Sequence, residues 1–167
     1  MELEERVAEL ERRLAALEAA EDRPSGRFSP LGEEFWALER LKEDLQEEPD
    51  GGVLFTGSVR LPTEEQYGWQ RAFTTDDLIE GEWAEAAEAF AALGHPVRMR
   101  LLREIVGGRR TVAELTDLEG VGTSGQIYHH LRQLTSAGWL HSTGRGKYEV
   151  PVTRVVPLLV AIATTRP

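Results

Sequence analysis

The chain has 167 residues, 41% of them hydrophobic and 29% charged, an ordinary globular balance that argues against wholesale disorder. It contains no cysteine, so disulfides, thiolate metal sites and cysteine nucleophiles are excluded. No apolar run approaches the roughly 18 residues of a membrane span, and Met1-Glu2-Leu3-Glu4-Glu5 lacks the apolar core of a signal peptide, so a soluble cytoplasmic protein is expected.

The net charge of −10 averages two unlike halves. From His95 onward ten arginines and lysines stand against five acids, a balance of +5 that leaves −15 in residues 1–94. A basic binding module carrying an acidic segment has this pattern; so does an acidic solvated helix beside an ordinary domain.

Residues 1–21 read as a helix with heptad spacing, Leu3, Val7, Leu10, Leu14 and Leu17 falling at steps of four and three. With Val7 and Leu14 at a, Arg6 and Arg13 take g, and Glu4, Glu11 and Glu18 take e. In a parallel pair Arg6 meets Glu11 and Arg13 meets Glu18, so a parallel dimerisation helix is expected. The alternative is a surface helix that packs its stripe on its own chain. Residues 22–50 comprise a linker, Asp22 to Pro30, and a second helix from about Leu31 to Glu48, which Pro49-Asp50-Gly51-Gly52 ends.

Over residues 51–80 the hydrophobic period becomes two. Strands 53–61 and 66–73, joined by a turn at Pro62–Glu65, form an expected β-hairpin with Tyr67, Trp69, Arg71 and Phe73 alternating along the second strand. A lone hairpin is marginal, so it must pack on something. Its aromatic face either covers a core, or Tyr67, Trp69 and Phe73, with Trp83, line a small-molecule effector pocket.

Thr75 caps a short turn, and Trp83, Ala86, Ala87 and Phe90 place an apolar stripe on a helix at 82–93. Gly94-His95-Pro96 breaks it, and a helix at 96–106 stops at Gly107-Gly108. Thr111 and Glu114 form a capping box for a helix to about Leu118. Thr123 or Ser124 caps another to about Ala137. Strands Trp139–Ser142 and Lys147–Val152 flank a tight Thr143-Gly144-Arg145-Gly146 turn, and a last helix runs from about Arg154 to Ala163. The expected fold class is therefore mainly α with small β. It consists of a winged helix-turn-helix domain at 82–167, preceded by the N-terminal coiled-coil helix and the β-hairpin module. In such a domain the third helix presents its N-terminal residues to a major groove, and a basic wing tip, here Arg145 and Lys147, reaches a phosphate or the minor groove.

The stretch FAALGHPVRMRLLREIVGG, followed by TVAELTDLEGVGTSGQIYHHLRQLTSAGWLHSTGRGKYEV, resembles the ArsR-type winged-helix repressors over roughly residues 85–163. Ala92-Leu93-Gly94-His95-Pro96-Val97-Arg98 and the frame His130-Leu131, Leu134, Ala137-Gly138 carry the likeness. The resemblance implies a recognition helix at Thr123–His130 and a homodimer formed by the first and last helices of the domain. Metal-sensing members place cysteines on the helix that here reads Thr111-Val112-Ala113-Glu114-Leu115, so no metal or cofactor is expected. Gly125 stands where relatives often carry a polar contact residue; it permits close backbone approach to DNA or weakens the readout. Residues 1–80 have no counterpart in the short members.

Ile127, Leu131 and Leu134 mark the inward face of the recognition helix. Thr123, Ser124, Gly125, Gln126, Tyr128, His129 and Arg132 are the candidate DNA-binding residues there. Gln126 is expected to pair with adenine through both amide atoms, Tyr128 and His129 to reach phosphate or a thymine methyl, and Arg132 to meet phosphate. Arg109 and Arg110 are either backbone contacts or ordinary surface charge. His130 is expected as a satisfied core histidine under the wing, and His95 as a local hydrogen-bond partner at a helix start. No catalytic motif is present, so no enzyme is expected. The expected function is a homodimeric, sequence-specific transcriptional regulator on an inverted repeat of double-stranded DNA, with a small effector or protein partner acting through the N-terminal half. A winged-helix protein-interaction scaffold and a non-specific nucleoid-associated binder are the alternatives.

Overall fold

The computed structural model describes residues 35–166, so the expected coiled coil at Leu3, Val7, Leu10, Leu14 and Leu17 lies outside the described residues. From Arg40 onward the described residues form one compact unit. Helix α1 (Trp36–Asp44) ends before the expected Glu48. Acidic Asp44, Glu47 and Glu48 oppose the negative end of a helix, and Pro49 disfavours helical geometry in the residue before it.

Strands β1 (Gly52–Arg60) and β2 (Gln66–Thr74) pair antiparallel, from Gly52 opposite Thr74 to Arg60 opposite Gln66. This is the expected hairpin, with the first strand shifted one residue earlier and the second ending one residue later than the sequence reading. Helix α2 (Thr75–Ile79) follows directly, and its cap is Thr74 rather than Thr75: the Thr74 hydroxyl accepts from the Asp77 amide at 3.1 Å.

Helices α3 (Trp83–Leu93) and α4 (Pro96–Val106) meet at His95, whose Nδ1 accepts from the Val97 amide at 3.2 Å and caps α4. The expected local role of His95 is therefore observed. Arg98 explains why this junction is rich in sequence signal. Its guanidinium donates to the carbonyls of Ala91 and Ala92 at the end of α3, and to Gln133 Oε1 at 2.7 Å. A cation thus satisfies the orphan carbonyls of one helix while tethering another.

Helix α5 (Val112–Thr116) carries the expected Thr111–Glu114 capping box and ends two residues earlier than predicted. Helix α6 (Ser124–Ser136) is capped by Thr123 and ends in a Schellman motif. The Trp139 amide reaches the Leu134 carbonyl at 2.9 Å and the Gly138 amide reaches Thr135 at 3.0 Å. Gly138 takes φ +72°, which a side chain would strain. That turn drives Trp139 and Leu140 into the core, so strand β3 (His141–Gly144) starts two residues later than predicted. Strand β4 (Lys147–Glu149) pairs with β3 and bridges to Thr111, and helix α7 (Val152–Ala163) closes the chain, starting two residues earlier than predicted.

The core is Leu101, Leu102, Ile105, Leu115, Ile127, Leu131, Leu134, Leu140 and Leu158, all almost fully buried. The hairpin joins it: Leu61 is buried there, and Val59 and Tyr67 pack against it. One face of the hairpin lies on α7. A Cβ on Gly57 would stand 2.6 Å from Val156 Cγ1, so glycine is what allows the strand and helix to approach so closely.

Candidate nucleic-acid interface

Helix α6 divides cleanly into two faces. Ile127, Leu131 and Leu134 are fully buried, a 3.6-residue stripe that pins the helix on the core. Thr123, Ser124, Gly125, Gln126, Tyr128, His129 and Arg132 are all exposed. Tyr128 keeps 46% of its surface in solvent.

The cap changes the reading of two of these residues. Thr123 Oγ1 accepts from the Gln126 amide, and Gln126 Oε1 in turn accepts from the Thr123 amide at 2.8 Å. This closes a capping box. A bidentate clasp on adenine needs both the carbonyl and the amide of Gln126. With the carbonyl held by the cap, only the NH2 group is available, so the two-atom pairing expected for Gln126 does not fit this conformation. Gly125 needs no special backbone conformation, and a Cβ there would meet nothing within 4 Å. The fold itself supplies no reason for this glycine, although alanine would favour the helix by about 1 kcal/mol.

The second basic element is the β3–β4 tip. Gly144 pairs with Lys147, and the two central residues, Arg145 and Gly146, have φ of 49° and 71°. These are the signs of a type I′ turn. Arg145 is exposed and, among the described residues, has no carboxylate partner. Lys147 is exposed but paired, its Nζ 3.1 Å from Glu149 Oε1. Segment 110–112 adds a third edge: Val112 donates to Gly146 at 2.9 Å and Tyr148 donates to the Arg110 carbonyl at 2.8 Å.

Arg110 serves the fold rather than the surface. It is mostly buried, forms an ion pair with Glu65 in the β1–β2 turn, and lies 3.4 Å from Glu149 on β4. The guanidinium hydrogen bond holds the Glu65 carboxyl below the ordinary carboxylate range, while burial pushes the nearby Tyr67 hydroxyl up. Arg109 lies 3.4 Å from Glu104. His130 packs its ring 4.7 Å from that of His95, and its buried Nδ1 has no hydrogen-bond partner, so the expectation of a satisfied histidine is corrected. Burial, with the neighbouring charges of His95, Arg98 and His129, lowers its pKa.

Residues 93–142 match the family model described as a helix-turn-helix domain. This chain carries a helix-turn-helix domain. Its two helices are α5 and α6, and a domain of this kind binds DNA through the second. The crystal structure of M. tuberculosis Rv0081 is similar over 50% of this chain and 85% of that one, with 30% sequence identity and a TM-score of 0.41. No curated protein matches the chain. Among the described residues no helix is long and apolar enough to cross a membrane.

The effector pocket expected from Tyr67, Trp69, Phe73 and Trp83 is not assembled as drawn from the sequence. Trp69 and Phe73 share one cavity with Phe55, Arg71, Thr153 and Arg154. Tyr67 lines another, beside Glu65 and Arg110. Trp83 is 67% exposed, with its indole nitrogen on the Leu78 carbonyl. The sequence reading missed Phe55, Arg71 and Arg154. Phe55 and Arg71 carried a signal, the period-two alternation that puts them on the aromatic face. Arg154 carried none, because only the docking of α7 brings it there.

Proposed function

We infer that this protein is a transcriptional regulator of the ArsR type that lacks a cysteine metal site and reads DNA as a homodimer. Helix α6 enters the major groove with Ser124, Gly125, Tyr128 and His129 leading and Arg132 on a phosphate. The turn at Arg145 meets the backbone or the minor groove. Two such domains related by a twofold axis read an inverted repeat with half-sites about one helical turn apart. The observation that carries this reading is Arg145: an arginine held at φ 49° on the outermost turn, with no described carboxylate partner. An L-residue is disfavoured in that conformation by about 1 kcal/mol or more, and such strain concentrates where ligands are gripped.

Dimerisation is supported by helix α3. Trp83 and Phe90 expose 67% and 63% of their surfaces, so the apolar stripe of this helix is open. An open stripe of this kind fits a second copy, as do the heptads of residues 1–21. A specific observation keeps the protein-interaction scaffold as the second reading: Arg132 is the only arginine or lysine on α6.

The test is capture of sheared genomic DNA by the full chain, comparing wild type with Tyr128→Ala plus Arg132→Ala. A shared palindrome, lost in the variant, is the expected result. Retention without a motif makes the protein a non-specific chromosome binder, and no retention at low salt makes it a scaffold.

A further inference from the structure

The inner face of the hairpin does not close completely on α7. It leaves a cavity of 540 Å³ lined by Phe55, Trp69, Arg71, Phe73, Thr153 and Arg154, with Pro157 at its wall. That volume is in the range of sites that hold drug-sized molecules. The walls are chemically divided. Phe55 and Phe73 stack with ring centroids 6.4 Å apart, and Trp69 extends the aromatic surface. Against them stand Arg71 and Arg154, and neither has a carboxylate partner among the described residues. Each guanidinium rests instead on an aromatic ring, Arg71 at 4.6 Å from Phe73 and Arg154 at 5.0 Å from Trp139. Such stacking holds an arginine in place while leaving its N–H donors unspent.

The cavity thus combines aromatic surface with two cationic forks.

We propose that this cavity binds a planar aromatic carboxylate. The carboxylate is held by Arg71 and Arg154, and the ring lies on Phe55, Trp69 and Phe73. An aliphatic acid lacks the stacking, and a neutral aromatic leaves both guanidinium groups without an anion. The site is distinct from the DNA-facing residues. Because α7 begins three residues after β4, an occupant braces the wing from behind. That last consequence rests on the DNA-binding reading, whereas the binding test is run without DNA and succeeds or fails independently of it.

The test is calorimetric titration of the full chain with indole-3-acetate, its neutral relative indole-3-ethanol, and hexanoate. Benzoate and 1-naphthoate serve as further aromatic acids. Saturable binding of indole-3-acetate, at least about tenfold tighter than indole-3-ethanol or hexanoate, is expected. Arg71→Gln plus Arg154→Gln should weaken it by about tenfold or more, since each loses a charge-assisted contact, with an unchanged melting temperature showing that the fold is intact. No saturable binding of any of the three aromatic acids up to about 5 mM overturns the proposal. Equal binding of indole-3-ethanol, or undiminished binding by the double variant, overturns it as well.

Discussion

Replacing Arg145 with asparagine should move stability and DNA affinity in opposite directions. Arg145 and Gly146 form a two-residue turn with φ of 49° and 71°, between the paired residues Gly144 and Lys147. Asn-Gly is the preferred pair for such a turn, because asparagine tolerates the left-handed region that disfavours arginine by about 1–2 kcal/mol. Arg145 is exposed and makes no described hydrogen bond or ion pair, so the substitution removes nothing from the folded state. Arg145→Asn should therefore stabilise the protein by about 0.5–1 kcal/mol, a rise of roughly 1–4 °C in Tm by calorimetry. If Arg145 meets a phosphate, the same change should lower the slope of log affinity against log salt by about 0.9. Raising salt fourfold would then weaken wild-type binding by about 3.5-fold more than it weakens the variant. Arg145→Lys separates the two effects, keeping the charge and the backbone strain, so it should leave Tm near wild type and retain most of the salt slope. A lower Tm in Arg145→Asn would refute the strain argument. An unchanged salt slope would show that the wing tip does not touch DNA.

Gly57→Ala places a methyl 2.6 Å from Cγ1 of Val156, a side chain only 1% exposed that has nowhere to move. Overpacking of this kind costs about 1–3 kcal/mol, and a single cooperative transition should shift down by roughly 2–12 °C. Adding Val156→Ala should recover part of the loss, whereas an unshifted transition would mean that the hairpin does not bear on α7. His130 gives the fold a pH dependence of definite sign. Burial lowers its folded pKa below the ordinary 6.5, so in the window between the two values the unfolded chain holds more protons. Stability should fall as pH drops through 6.5, and His130→Gln, with nothing to protonate, should lose Tm less steeply between about pH 7.5 and 5.5. Superimposable profiles would remove His130 from the account.

Much of the local structure was written in the sequence, because its causes are local. The capping box at Thr111 and Glu114, the helix stop at Gly138 and the inward stripe Ile127, Leu131 and Leu134 each depend on residues within one or two turns of each other. The hairpin was equally legible from its period of two. The boundaries that slipped did so for tertiary reasons. Trp139 and Leu140 read as strand, but the core claimed them. The Trp83 and Phe90 stripe was legible as apolar, but only the fold shows that it stays exposed. The candidate site divided in the same way. Sequence alone determined which α6 residues point outward, since helical period fixes direction. The tertiary structure decided what their neighbours leave them free to do. It committed the Gln126 carbonyl to a cap, drew Arg110 between Glu65 and Glu149, and set Arg71 and Arg154 around one cavity although 82 positions separate them in the chain. Periodicity fixes only the side of its own element on which a residue lies; partners so far apart in sequence are chosen by packing.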